Sequence, residues 1–206
     1  MNTEAITLNV GDNSYAGKVT LAGDASEHGI LVIPGAGHGP FGDIFDRFAA
    51  AAARDGNTVA RFEMWESQED LAEKTETEFE TELSAGIEFL QSRGYSTITV
   101  VAKSFGGRLA LTHIPNTVDR MVLWAPAILF GNHADAPSIA ASELANIETP
   151  VRILQGDEDE VVSVENAAAI AEHLPNGSMV ELAGEDHSFL NDEQRIIEET
   201  LAFLSP

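Results

Sequence analysis

Cysteine is missing from this 206-residue chain, which excludes disulfides, a thiolate nucleophile and any Cys-ligated metal. Lysine is nearly missing: Lys18, Lys74 and Lys103 complete a basic set of 11 residues, set against 34 acidic ones, for a formal net charge of -23. A surface of that sign repels phosphate backbones and anionic lipid headgroups, so neither nucleic acid nor a membrane is an expected partner. No apolar run approaches the roughly 18 residues of a membrane span. The opening M-N-T-E-A-I-T-L-N-V has neither the basic nor the apolar segment of a leader, so a cytoplasmic protein is expected. No Pro/Gly/Ser-rich linker divides the chain, and one domain over residues 1–206 is expected. Acidic excess can mark disorder, but apolar residues make up 44% and fall into periodic segments, so the chain should fold. An acidic shell on an ordinary core, short of lysine, reads as adaptation to a high-salt cytosol.

The periodic segments alternate. Ala5 to Val10 and Tyr15 to Leu21 read as an antiparallel hairpin turning at G-D-N-S. Gly29 to Ile33 is a continuous apolar strand running into P-G-A-G-H-G-P; Phe41 to Ala52 has helical spacing, and Thr58 to Phe62 is a strand. Glu63 to Glu82 is strongly acidic, but Phe79, Leu83, Ile87 and Leu90 form one stripe, so the glutamates read as the solvated side of an amphipathic helix. Further strands are expected at Met121 to Trp124, Thr149 to Gln155 and Met179 to Leu182. Helices are expected at Ser138 to Ile147, Val164 to Leu174 and Ile196 to Leu204. Such alternation implies a mainly parallel sheet with helices on both faces, whose reactive groups gather at the carboxyl ends of the strands.

One junction stands out: T-I-T-V-V-A-K-S-F-G-G-R, Thr97 to Arg108. A β-branched strand meets a helix-compatible segment at Ser104, and Phe105, Gly106 and Gly107 follow. A nucleophile elbow needs this sharp, sterically bare turn, which lifts the serine Oγ above the sheet and turns the next N–H toward a developing oxyanion. Ala102 stands where the usual G-x-S-x-G pattern has its first glycine, and a serine at such a junction can also serve as a helix cap. A serine hydroxyl needs a base in reach, and the base needs an acid. Downstream of Ser104, Q-G-D-E-D-E-V-V supplies Asp157 and Asp159, and A-G-E-D-H-S-F supplies His187, each just past a predicted strand. Ser, Asp, His is the α/β-hydrolase order.

On these motifs the chain resembles the α/β-hydrolase superfamily from the hairpin to the last helix. It looks most like the small, capless, dienelactone-hydrolase-like members, and its P-G-A-G loop, V-A-R-F-E strand end and A-K-S-F-G-G-R are similar to a subgroup whose elbow reads G-G-K-S-M-G-G-R. The resemblance implies an α/β fold with a mostly parallel central sheet, an N-terminal antiparallel hairpin and no large cap domain. It puts the acid three residues after Gly156, on Asp159, with Asp157 as the alternative read as a turn residue. It puts the oxyanion donors on the Ala36 and Phe105 N–H groups, with Gly35 and Gly37 letting the backbone approach; Pro34 replaces a histidine common in relatives. Dienelactone hydrolases proper use a cysteine nucleophile, so their substrate does not carry over. His38 could contact substrate or face solvent. Lys103 could hold an anionic substrate group or pair with a carboxylate.

The expected function is therefore a serine hydrolase acting on small carboxylic esters or related acyl compounds through an acyl-enzyme, without metal or other cofactor. The short stretch between Trp124 and Thr149 leaves no room for a lid, which favours short-chain substrates. A thioesterase or lactonase would use the same triad, and a non-catalytic binding module on the same scaffold is the reading from another class. A homo-oligomer is compatible with the sequence.

Overall fold

The computed structural model describes residues 2–23, 26–37, 39–114 and 116–204. The chain opens with β1 (Asn2–Val10) and β2 (Asn13–Leu21), an antiparallel hairpin joined by a two-residue turn, Val10 pairing with Asn13. Then follow β3 (His28–Ile33), α1 (Asp43–Arg54), β4 (Thr58–Phe62), α2 (Gln68–Glu73), α3 (Glu76–Ser92), β5 (Thr97–Lys103) and α4 (Phe105–His113). The remainder is β6 (Arg120–Trp124), β7 (Leu129–Phe130), β8 (Ser138–Ile139), α5 (Ala141–Leu144), β9 (Val151–Gly156), α6 (Val164–His173), β10 (Gly177–Leu182) and α7 (Glu193–Leu204). The main sheet has the order β1-β2-β4-β3-β5-β6-β9-β10, antiparallel at β1–β2 and β2–β4 and parallel from β4 onward.

The period-two alternation of a strand sorts the core into two layers. Ile30 and Val32 of β3 face one side with Val59, Val101, Val122 and Leu154, under α1 and α7. Leu31 and Ile33 face the other side with Ala60, Val100, Leu123 and Ile153, under α3, α4 and α6. Strands buried on both faces are near-continuous apolar runs, which makes these readable in the sequence. Trp124 fastens the first layer: it stacks on Phe45 at 5.9 Å between ring centroids and donates its indole N–H to Thr200 Oγ1 at 3.0 Å, tying α7 to β6. In the second layer α3 starts at a reciprocal capping box, Glu78 N–H to Thr75 Oγ1 and Thr75 N–H to the Glu78 carboxylate, and its stripe Phe79, Leu83, Ile87 and Leu90 is buried.

Three local expectations change. Residues 138–147 are not one helix: Ser138–Ile139 pairs with Leu129–Phe130 in a small two-stranded sheet, and only Ala141–Leu144 is helical. The strand expected from Gly29 begins one residue earlier, at His28, whose Nε2 meets Thr99 Oγ1 at 2.8 Å. Glu82 is not solvated; it is 2% exposed, paired to Lys74 at 2.6 Å and hydrogen-bonded by the Tyr15 hydroxyl. Between β6 and β9 only these short elements occur, so no cap domain overlies the strand ends. No helix among the described residues is long and apolar enough to cross a membrane.

Candidate active site

The carboxyl end of β5 turns into α4 at Ser104, whose φ of 52° and ψ of -114° lie where non-glycine residues are rarely found. Such a backbone persists only when its surroundings overdetermine it. Ser104 N–H donates to Trp124 O at 2.8 Å, and its carbonyl accepts from Arg108 N–H at 3.1 Å and Ala127 N–H at 2.9 Å. The elbow is thereby stapled to the end of β6. Gly106 is required by close approach: a Cβ there would lie 2.5 Å from Pro34 O and 2.6 Å from Ile33 O. The helix can thus start directly against the end of β3, with no side chain between the serine turn and the 34–37 loop. Ala102, in place of the usual glycine, is fully buried without disturbing the turn.

His187 approaches from the segment after β10. Its Nε2 is 2.9 Å from Ser104 Oγ and its Nδ1 is 2.8 Å from Asp159 Oδ2. The histidine turn is braced from within: Asp186 Oδ1 accepts from Ser188 N–H at 2.8 Å and Ser188 Oγ–H at 2.5 Å. Glu185, 1% exposed, accepts backbone N–H groups of Asn191 and Asp192. Gly156 lets this turn sit on the end of β9, since a Cβ there would fall 2.1 Å from Glu185 O.

Asp159 is held by four donors. Oδ1 accepts from Val161 N–H at 2.8 Å and Val162 N–H at 2.9 Å, while Oδ2 accepts from Gln155 Nε2 at 2.9 Å as well as facing His187. Its side chain is wholly buried. Burial alone would raise the carboxyl above its ordinary range, but the Val162 N–H, His187, the Val161 N–H and Gln155 together outweigh it and hold Asp159 below that range. It is an ionised acceptor with a fixed orientation. Asp157 is exposed and accepts Gly184 N–H at 2.6 Å, bridging two loops, and is not hydrogen-bonded to His187, whose side-chain partners are Asp159 and Ser104.

The 34–37 loop lies beside the serine: a Cβ on Gly35 would be 3.4 Å from Ser104 Cβ, and one on Gly37 would meet nothing within 4 Å. A Cβ at 35 would make only ordinary van der Waals contact, so close approach requires glycine at neither 35 nor 37. The Ala36 and Phe105 N–H groups have no protein acceptor among the described residues, which leaves both available to a ligand. His38 lies outside the described residues.

Lys103 makes no ion pair within 4.0 Å among the described residues; its Nζ donates to Ser188 O at 3.1 Å and lies 5.8 Å from the centre of the Phe189 ring. Burial lowers its affinity for the proton, and Asp186 and Asp159 only partly restore it. Lys103 and Ser188 line two hollows, of which the first also reaches His187. The first, of about 630 Å³, is edged by Glu158, Glu160 and Val161; the other, of about 220 Å³, by Phe41, Ile44, Phe45 and Leu190. Val161 and Leu190, 66% and 61% exposed, are among the few large apolar side chains open to solvent. No cluster that could hold a metal ion occurs among the described residues.

Comparison with known proteins follows the same line. The model of the dienelactone hydrolase family matches residues 42–202, which include the elbow, Asp159 and His187. No curated protein matches the chain. Among solved structures it is similar to Est1E from Butyrivibrio proteoclasticus, with a TM-score of 0.81, 14% identity and 97% of each chain covered. It is also similar to XC6422 from Xanthomonas campestris, described as an α/β serine hydrolase without lid, with a TM-score of 0.78, 19% identity, and 100% of this chain and 96% of that one covered. A dienelactone hydrolase from Anabaena variabilis gives a TM-score of 0.79 at 16% identity, covering 97% of this chain and 94% of that one. At these identities the shared feature is the α/β-hydrolase fold.

Proposed function

This chain belongs to the dienelactone hydrolase family, a family of α/β-hydrolases, and on that premise we propose that it is a serine hydrolase that cleaves small carboxylic esters through an acyl-enzyme. The observation that carries the reading is the continuous hydrogen-bonded chain from Ser104 Oγ through His187 to Asp159, hung on a strained elbow.

In the mechanism this supports, Ser104 Oγ attacks the ester carbonyl carbon and its proton passes to His187 Nε2. Asp159 accepts the His187 Nδ1–H bond, which fixes the tautomer that leaves Nε2 free and stabilises the imidazolium. The carbonyl electron pair moves onto oxygen, where the Ala36 and Phe105 N–H groups receive it; one such donor is worth roughly 3 kcal/mol of barrier. Collapse of the tetrahedral adduct breaks the bond to the alkoxy oxygen, which takes the proton back from Nε2. Water, deprotonated by the same nitrogen, then attacks the acyl-serine, and the acid leaves as the serine is reprotonated.

The hollows suit substrates of modest size. The smaller, mostly apolar one, reached past Lys103 and Ser188, suits a short acyl or aryl group, and the absence of a cap domain leaves the larger one, beside His187, open to the leaving alcohol. Lys103, with no carboxylate within 4.0 Å among the described residues, is available to a polar or anionic substituent beside the serine. The acidic surface suits a high-salt cytosol. The test is hydrolysis of p-nitrophenyl acetate by the wild type and by Ser104→Ala: the variant should lose at least three orders of magnitude in turnover, and undiminished turnover would remove the reading.

A further inference from the structure

Trp65 has no part in the chemistry above, yet it touches both sides of the proposed oxyanion site. It lies just beyond β4, is 2% exposed, and donates its indole N–H to Gly35 O at 3.1 Å. Its ring meets Phe105 edge-on at 5.8 Å and Phe79 at 6.1 Å, and Phe79 and Phe105 meet at 5.5 Å. The two residues so contacted are Phe105, whose own N–H is one proposed donor, and Gly35, whose carbonyl shares a peptide unit with the other.

That shared unit gives the contact its consequence. A trans peptide is planar, and its C=O and N–H point in opposite directions. Holding Gly35 O against the indole therefore turns the Ala36 N–H away from Trp65. Rotation of this unit would put a carbonyl oxygen where a donor is needed, and glycine at 35 offers little steric resistance to that rotation. The Ala36 N–H has no protein acceptor among the described residues, so nothing on the donor side opposes the rotation. We infer that Trp65 is a positioning residue: its indole N–H locks the Gly35–Ala36 peptide with the Ala36 N–H presented to the oxyanion, while its ring seats the Phe105 end of the elbow. This rests on the serine-hydrolase reading and adds a residue outside the triad on which turnover depends.

The expected magnitude follows from population. If losing the indole donor lets the unit rotate, turnover falls with the fraction still facing inward. One hydrogen bond to a partly buried carbonyl sets that fraction at about one in ten, with about one in a hundred as the extreme. The variants are Trp65→Phe, which keeps an aromatic ring, and site-specific replacement by 3-benzothienylalanine, which keeps the indole shape but has sulfur in place of the N–H. The second preserves the packing should the first fail to fold.

For each variant kcat, KM, thermal midpoint and two inhibition constants are measured: for a trifluoromethyl ketone, which adds Ser104 Oγ to its carbonyl and places an oxyanion, and for the matching ether, which has no carbonyl. The inference predicts a fall in kcat of about 10- to 100-fold and ketone binding weakened by a similar factor. KM, ether binding and the midpoint should stay near wild type. Wild-type kcat in the benzothienyl variant overturns it, as does a loss shared by KM, ether binding and midpoint, which would make Trp65 structural only. Ser104→Ala is run in parallel: if that variant keeps wild-type turnover, the serine-hydrolase reading itself fails and this inference with it.

Discussion

Replacing Asp159 by Asn changes one atom of a side chain whose every hydrogen-bonding position is occupied. The amide oxygen can still accept from the Val161 and Val162 N–H groups. The amide nitrogen then falls where Oδ2 accepted from Gln155 Nε2 at 2.9 Å and faced His187 Nδ1 at 2.8 Å, so donors confront donors. His187 escapes by moving its proton to Nε2 and turning a bare Nδ1 toward the new NH₂. That tautomer presents N–H, not a lone pair, to Ser104 Oγ, and the serine has no base. A serine protease loses about 10⁴ in kcat from the equivalent change, and the same loss is expected here. Asp157→Asn is the internal control: an amide oxygen can still accept Gly184 N–H at that exposed site, and kcat should stay within about threefold. Both are read as kcat for p-nitrophenyl acetate on protein whose circular dichroism matches wild type. A small loss at Asp159 with a large one at Asp157 would refute the assignment and the tautomer argument together.

Other outcomes follow from the same structure. Gly106→Ala drives a Cβ to 2.5 Å from Pro34 O, and since neither backbone can yield freely, stability should fall by about 2 kcal/mol and turnover by more than tenfold, read by denaturant melts and ester assay; a neutral result would mean the elbow is looser than drawn. Burial lowers the Lys103 pKa, so the charged form is penalised in the folded state below its folded pKa, and the penalty is relieved as pH rises toward the unfolded value of about 10.4. Lys103→Met should accordingly raise the thermal midpoint at pH 7, by an amount that shrinks toward pH 10; a midpoint lowered at pH 7, or a gain that does not depend on pH, would contradict this. The net charge of -23 repels itself over a Debye length of about 10 Å at 0.1 M salt but about 3 Å at 1 M. The midpoint should rise from 0.1 M toward molar KCl, and similarly in NaCl, and a flat or falling midpoint would remove the high-salt reading.

What could be read from the sequence divides along a physical line. Strands buried on both faces, such as Gly29 to Ile33 and Thr58 to Phe62, announce themselves because they are near-continuous apolar runs; the polar residues of the second, Thr58 and Arg61, are buried with partners, Thr58 Oγ1 accepting from Ala22 N–H and Arg61 paired with Asp46. The elbow announces itself because Gly106 and the small residues around it are demanded by backbone contacts. Family membership and the mostly parallel sheet with its hairpin followed from these signals. The misread places depend on partners distant in the chain. Ser138 and Ile139 are extended because residues 129 and 130 pair with them, whereas their own pattern suits a helix. Glu82 looks like any surface glutamate until Lys74 and Tyr15 arrive from other elements. Two readings stood open for Lys103; the structure gives it a carbonyl, Ser188 O, rather than a carboxylate. Trp65 was missed altogether, because its bond to Gly35 O spans 30 residues. The available signal was its place just past the carboxyl end of β4, the zone that also holds Ser104 and Asp159.

The most direct test of the central claim is to treat the folded protein with a fluorophosphonate and map the labelled peptide by mass spectrometry. The serine-hydrolase account predicts one adduct, on Ser104, formed far more slowly when His187 is replaced by Ala and absent in Ser104→Ala. Labelling on another residue, or none at a probe concentration that labels known serine hydrolases to completion, would contradict it.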